Sequence, residues 1–288
     1  MTQSRPEPTL VADAEALERL ARRVEAEPVV ALDTESNSFH AYFERVCLLQ
    51  LSVPEGDYVV DPFSVDVAPL GAALASGREV VLHGADYDVR CLKREFGWAP
   101  ARIFDTMVAA RRLGARELGL AALVRNHFGV HLSKQHQRAD WGRRPLPRDQ
   151  VRYAALDTHF LLDLHRILAA DLSGRGLLDE ARAEFDRIAA VHPHVRNFDP
   201  EGWRRLRGAK GLDEAGRAAL RALWIRRDES ARALDKPSFK VVGEDALLEI
   251  ARRRPATLEE LGRIPGVTPR VIERVGAALL EAVRGHPG

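Results

Sequence analysis

A mixed β-sheet flanked by helices and followed by a small all-helical unit is the fold class that this 288-residue sequence predicts. Two patterns carry it. Short β-rich and helical segments alternate through the first part of the chain, and beyond about residue 200 only helical periodicity remains. Composition agrees: at 45% hydrophobic residues the chain can bury one sizeable core and a smaller second one, since single domains commonly hold about 100–200 residues.

The stretch 13–26 places Leu17, Leu20, Ala21 and Val24 at helical spacing behind Asp13, a suitable N-cap. Three β-rich segments follow, PVVALDTE, RVCLLQLSV and DYVVDP, close enough in sequence to pair as a meander. After a helical stretch near 68–76, EVVLHG predicts a buried strand and DYDVRCLKREFG a helix ending near Gly97. RIFD then predicts a strand and TMVAARRLG a helix closed by Gly114. From about 117 to 170 the pattern is helical, interrupted by HLSKQHQRADWGRRPLPRDQ, whose polarity predicts a long surface loop. Pro193 and Pro200 weaken the helical period and place a linker at 191–212, between a first domain at 1–190 and a second at 213–288.

No apolar run approaches the roughly 18 residues that suggest a membrane span, and MTQSRPEPTL has no signal-peptide core. A soluble, cytoplasmic, monomeric protein with no membrane partner is expected. Cys47 and Cys91 lack metal-binding or disulfide spacing and are expected as reduced packing residues. The net charge of +1 hides an asymmetry. Residues 196–288 carry 19 Lys and Arg against 14 Asp and Glu, whereas the remainder carries 24 against 28. A basic tail suits a polyanion and an acidic body suits cations, although solvated helix faces produce the same counts.

The chemistry is concentrated in carboxylates. Asp33 and Glu35 stand two apart at the end of an apolar strand, so they share a face. Two anions held together favour a cation, and hard oxygen donors suit Mg²⁺ or Mn²⁺ rather than zinc. Taken alone, the same residues fit a strand entering a polar turn. Asp88 follows the strand EVVLHG in the first turn of a helix, where the helix dipole alone would favour it. His83 fits a strand end and Asp105 an N-cap. In YAALD, Tyr153 and Asp157 are four apart on one helix face. Four carboxylates converging from one strand and two helices are hard to sustain without metal, and two divalent ions roughly 3.5–4 Å apart would suit in-line displacement at phosphorus.

In this order and spacing, DTE, HGADYD and YAALD resemble the three exonuclease motifs of the DEDD superfamily in its tyrosine-bearing branch. ESNSFHAYFERVCLLQLS, LGLAALVRNHFGV, KQHQRADWGRRPL and RYAALDTHFLLDL resemble ribonuclease D in particular, over roughly residues 10–185. The resemblance implies an RNase H-like fold and 3′→5′ hydrolysis of RNA to nucleoside 5′-monophosphates. It implies that Asp33, Glu35 and Asp157 hold one metal ion, that Asp33 and Asp88 hold the second, and that Tyr153 positions the attacking water. It also makes Lys134, Gln137, Arg138 and Trp141 candidates for lining the substrate cleft, and Phe39 and His40 candidates for contacting the terminal nucleotide.

The tail resembles an HRDC domain, the small helical bundle of RecQ helicases and ribonuclease D, on the run KPSFKVV, LLEIA and RIPGV. It has room for one complete copy, where some family members carry two. IPGVTPRVIERV offers a turn into a helix that could take a phosphate, and Arg252, Arg253 and Arg254 could add backbone affinity; a plain helix turn and a solvated face are the competing readings. The expected function is metal-dependent trimming of RNA with single-stranded 3′ ends, such as tRNA precursors. A DNA 3′→5′ exonuclease acting in repair and a catalytically silent nucleic-acid-binding adaptor are the alternatives.

Overall fold

The computed structural model describes residues 7–193 and 197–285. The chain divides into two compact units, one of residues 1–37 and 45–195 and one of residues 38–44 and 196–288. The first unit opens with β1 (Thr9–Val11) and α1 (Ala14–Ala26), then β2 (Val29–Ser36), β3 (Val46–Val53), β4 (Gly56–Val60) and α2 (Ala68–Ala75). It continues with β5 (Glu79–Leu82), α3 (Asp86–Phe96), β6 (Arg102–Asp105), α4 (Thr106–Arg112), α5 (Leu120–Phe128), α6 (Arg148–His159), α7 (Leu161–Gly174) and α8 (Leu178–Ala189).

The six strands form one mixed sheet in the order β1-β4-β3-β2-β5-β6. β2 pairs antiparallel with β3 and parallel with β5, and so sits inside the sheet. Its apolar start follows from that position: Val30, Ala31 and Leu32 are fully buried. α1 is capped by Asp13, whose carboxylate accepts from Ala16 N at 2.8 Å. It buries Leu17, Leu20, Ala21 and Val24, the face read from the sequence. Each such leucine contributes about 1.5–3 kcal/mol by leaving water. Cys47 and Cys91 are free thiols and buried, and burial pushes the Cys47 thiol up to about 12.

β1 has no counterpart in the sequence reading. It is a three-residue edge strand held by parallel pairing to β4, too short to show a period. The linker reading also needs correction. Residues 202–205 and 209–211 form short 3₁₀ helices, and Trp203, Leu206, Ala209 and Leu212 are buried in the second core. The apolar residues in and beside these short turns anchor them on the core; residues 194–196 lie outside the described residues.

The second unit is helical among its described residues: α9 (Glu214–Ala233), α10 (Ser238–Val241), α11 (Glu244–Arg253), α12 (Leu258–Gly262), α13 (Pro269–Val271), a π turn at 272–276, and α14 (Ala277–Arg284). α9 and α11 bury Leu220, Leu223, Leu247 and Ile250. The Ser38–Glu44 segment belongs to this unit, although in the chain it lies between β2 and β3. Tyr42 N and Phe43 N donate to Asp235 Oδ1 at 2.9 and 3.1 Å, and the Tyr42 hydroxyl donates to Asp228 at 2.8 Å.

Candidate active site

β2 carries Asp33 and Glu35 on one face, and the register with β3 slips between Glu35 and Ser36. Such a bulge ends regular pairing and re-aims the side chains beside it. Asp88 lies in the first turn of α3, after a turn in which Gly84 takes φ 74°. That left-handed conformation suits glycine. Asp105, at the end of β6, fastens the turn: its carboxylate accepts from Gly84 N and Ala85 N at 3.1 and 2.8 Å, and from Met107 N and Val108 N at 2.8 and 3.2 Å. It caps α4 and shapes the entry to α3 at once. Asp86, by contrast, is exposed and pairs with Arg90 at 2.7 Å.

Tyr153 and Asp157 stand on α6, which lies against β2, β3 and β4. The helix is fastened by Thr158, whose hydroxyl accepts from Ser52 Oγ at 2.7 Å, and by His159, which meets Asp57 at 2.6 Å. Asp88 is buried and accepts from Thr34 N and Thr34 Oγ1 at 3.1 and 2.5 Å, which ties α3 to β2 between the two strand carboxylates.

The four acids share one electrostatic environment. Burial, then Asp88, Asp157 and Glu35, raises Asp33 well above the carboxylate range. Burial, then Asp157 and Asp88, pushes Glu35 up to about 9. Asp157 rises to about 7 through burial and Asp88. Asp88 also reaches about 7, through burial opposed by its Thr34 hydrogen bonds. Tyr153 is lifted to about 12 by burial and then by Asp157, Glu35 and Asp33, so its phenol stays protonated at neutral pH. An all-oxygen set of mutually repelling acids fits hard divalent cations by donor chemistry. Gln50, fully buried and directly opposite Asp33 in the ladder, has no hydrogen-bond partner for either amide atom among the described residues. It offers polar contact to a hydrated ion on that face. Among the described residues no three His, Cys, Asp or Glu side chains already close into a metal cage.

Lys134, Gln137, Tyr153 and Asp157 line one cavity of about 540 Å³ with His83, Arg125 and Glu117. Four residues singled out from the sequence therefore meet there, and the surface-loop reading of the segment from His131 onward agrees with its lack of helix or strand up to Pro147. Arg138 is exposed and does not line this cavity. Trp141 does not fit a cleft-lining role: it is 1% exposed and packs with Cys47, Leu48, Val59 and Ala154, stacked 6.1 Å from Tyr153. Its ring supports the tyrosine from behind. Phe39 is exposed and His40 partly so, and both belong to the second unit. His83, read as a strand end, lines the cavity with Nδ1 2.9 Å from Thr106 Oγ1, and its Nε2 has no hydrogen-bond partner among the described residues. Burial holds its imidazole below the usual histidine range. Its place on the wall of the cavity that Asp157 also lines had no signal in sequence.

Residues 8–173 match the 3′-5′ exonuclease family model and residues 216–283 match the HRDC domain model. Ribonuclease D of Gluconacetobacter diazotrophicus is 34% identical over 284 residues, covering 96% of this chain and 72% of that one. The chain belongs to the ribonuclease D family. Among solved structures, Escherichia coli RNase D, described as an exoribonuclease involved in structured RNA processing, matches with TM-score 0.72 and 31% identity over 98% of this chain and 75% of that one. The catalytic core of RRP6 from Trypanosoma brucei matches with TM-score 0.89 and 29% identity, over 99% of this chain and 81% of that one. As a ribonuclease D family member the protein is a 3′→5′ exoribonuclease with an RNase H-like sheet and an HRDC region, and neither the DNA-repair nor the silent-adaptor alternative is favoured. No helix among the described residues is long and apolar enough to cross a membrane.

Proposed function

We propose that the protein trims single-stranded 3′ ends of structured RNAs, tRNA precursors among them, releasing nucleoside 5′-monophosphates with two Mg²⁺ or Mn²⁺ ions. The observation that carries this reading is the set of four acids, Asp33, Glu35, Asp88 and Asp157, all raised first by burial, with Asp88 also raising the other three, around a protonated Tyr153. Asp33, Glu35 and Asp157 would hold one ion, and Asp33 with Asp88 the other. When bound, the ions supply Lewis acidity toward the phosphodiester oxygens. The residues do the rest. Tyr153 keeps its proton and acts as a hydrogen-bond donor that orients the attacking water, not as a base. Trp141, stacked behind it, limits its swing. Lys134 and Gln137, on the wall of the same cavity, hold the substrate strand. Asp105 keeps α3, and so Asp88, in place through the Gly84–Ala85 turn.

The test uses a 5′-labelled RNA carrying a single-stranded 3′ end, incubated with Mg²⁺, Mn²⁺ or EDTA. A metal-dependent ladder shortening from the 3′ end, with 5′-monophosphates as product, is expected. Cleavage that persists in EDTA, or internal cuts, would refute the reading.

A further inference from the structure

Among the described residues of the second unit, many arginines are answered by a carboxylate. Arg204 and Arg221 pair with Glu201, Arg226 with Glu229 and Glu281, and Arg254 with Asp213. Arg252 and Arg253, candidates for backbone affinity in the sequence, both meet Glu249. Lys236, Lys240, Arg270 and Arg274 are among the cations of this unit that form no ion pair with a carboxylate among the described residues, and they are the ones gathered at one place. These four line one cavity of about 300 Å³ with His40 and Thr268, and no Asp or Glu is on its wall. The Ser38–Glu44 segment supplies His40, whose carbonyl accepts from Lys236 Nζ and whose Nδ1 lies by Lys240 Nζ, both at 3.4 Å.

Four cations around one concavity repel one another, and an anion that enters relieves the repulsion. Guanidinium forks match the paired oxygens of a phosphate, and ammonium groups add charge that need not be aligned. The volume is at the small end of ligand cavities, which run from roughly 300 to 1,000 Å³. It suits one nucleotide unit and not a duplex.

We propose that this cavity is a phosphate-binding site that holds the RNA substrate by a backbone phosphate other than the scissile one. The proposal rests on the exoribonuclease reading for the identity of the strand. It makes His40 part of a backbone site instead of a terminal-nucleotide contact.

The experiment is fluorescence anisotropy of a 3′-tailed RNA in EDTA, from 50 to 200 mM KCl, with Lys240→Gln/Arg274→Gln. Kd should rise about tenfold at 100 mM salt, and the log Kd against log salt slope should fall by about 1.4, two phosphate contacts at roughly 0.7 each for a single strand. With metal present, KM should rise more than kcat falls. Lys236→Gln/Arg270→Gln should repeat the effect, with thermal melts showing that both variants fold, while Arg252→Gln/Arg253→Gln should stay within about twofold. Wild-type Kd and slope in both cavity variants would overturn the proposal. So would an equal loss in the Arg252/Arg253 control, which would make the effect one of general charge, or displacement of the RNA by poly-glutamate at equal charge. Salt-dependent binding that needs Lys240 and Arg274 in a protein without metal-dependent cleavage would support the cavity and refute the exonuclease reading.

Discussion

In the first unit four carboxylates gather where β2, α3 and α6 meet; in the second unit four cations gather around an open cavity. Both regions concentrate charge of one sign, and burial separates their behaviour. Asp88 is 5% exposed, and its neighbours are enclosed enough that protons take the place of a missing counter-charge, which lifts Glu35 to about 9. Lys236, Lys240, Arg270 and Arg274 are exposed, so water and salt screen their mutual repulsion. A buried cluster of acids thus shows raised pKa values and a donor chemistry that fits a hard cation, while an exposed cluster offers graded, salt-sensitive attraction. The first suits chemistry and the second suits holding a polymer.

The largest expected asymmetry comes from single charges. Asp33→Asn should reduce cleavage by at least about 10²–10³-fold, the range seen when one preorganised electrostatic contact is lost, with RNA affinity in EDTA changed less than twofold. Single-turnover rates and anisotropy check both arms, and a near wild-type rate would break the contrast. Tyr153→Phe keeps the ring that stacks on Trp141 and removes only the hydroxyl. It should lower kcat by about 10²-fold, the cost of a misplaced reactant, while KM stays within about threefold. An unchanged kcat would remove the tyrosine from the mechanism.

A smaller effect belongs to the scaffold. Asp105→Ala strips acceptors from four backbone N–H groups, and should cost about 1–3 kcal/mol in urea unfolding, the range for an unsatisfied buried donor. Asp105→Asn should recover part of it. Equal stability of all three proteins would show that the turn holds without the carboxylate.

The smallest effect is in pH. Asp33, Glu35, Asp88 and Asp157 have folded-state pKa values above those of an unfolded chain. Their contribution to stability is therefore full below about pH 4 and is lost as pH rises through about 7 and on to about 9. Asp157→Asn should flatten the decline in metal-free melting temperature between pH 5 and 9, as measured by calorimetry against wild type. A steeper decline in the variant would reverse the sign assigned to Asp157.

The site was more legible in sequence than the surfaces around it. DTE, HGADYD and YAALD sit on elements whose apolar flanks announce a buried strand and two helices, so local pattern placed each acid. Asp105 could be read as a cap because capping is local. Long-range packing left no such trace. Nothing in SFHAYFE shows that its backbone amides are bound by Asp235, some 190 residues later. Trp141 lies in a polar run, and its burial comes from the strands β3 and β4 and from α6, which pack around it. Gln50 stands in a strand whose eight residues are all buried, so its exceptional amide is visible only beside Asp33. The pairing of Arg252 and Arg253 with Glu249, three and four residues earlier on α11, was by contrast a local spacing within reach of the sequence.

The most direct test of the central account is calorimetric titration of Mn²⁺ into the metal-free protein at pH 7, in two buffers of different ionisation enthalpy, beside Asp33→Asn. The account predicts binding that releases protons from the acid cluster in the wild type, with affinity that rises with pH, and both features lost in the variant. Binding without proton release, or binding that Asp33→Asn leaves intact, would contradict a metal site built on these four carboxylates.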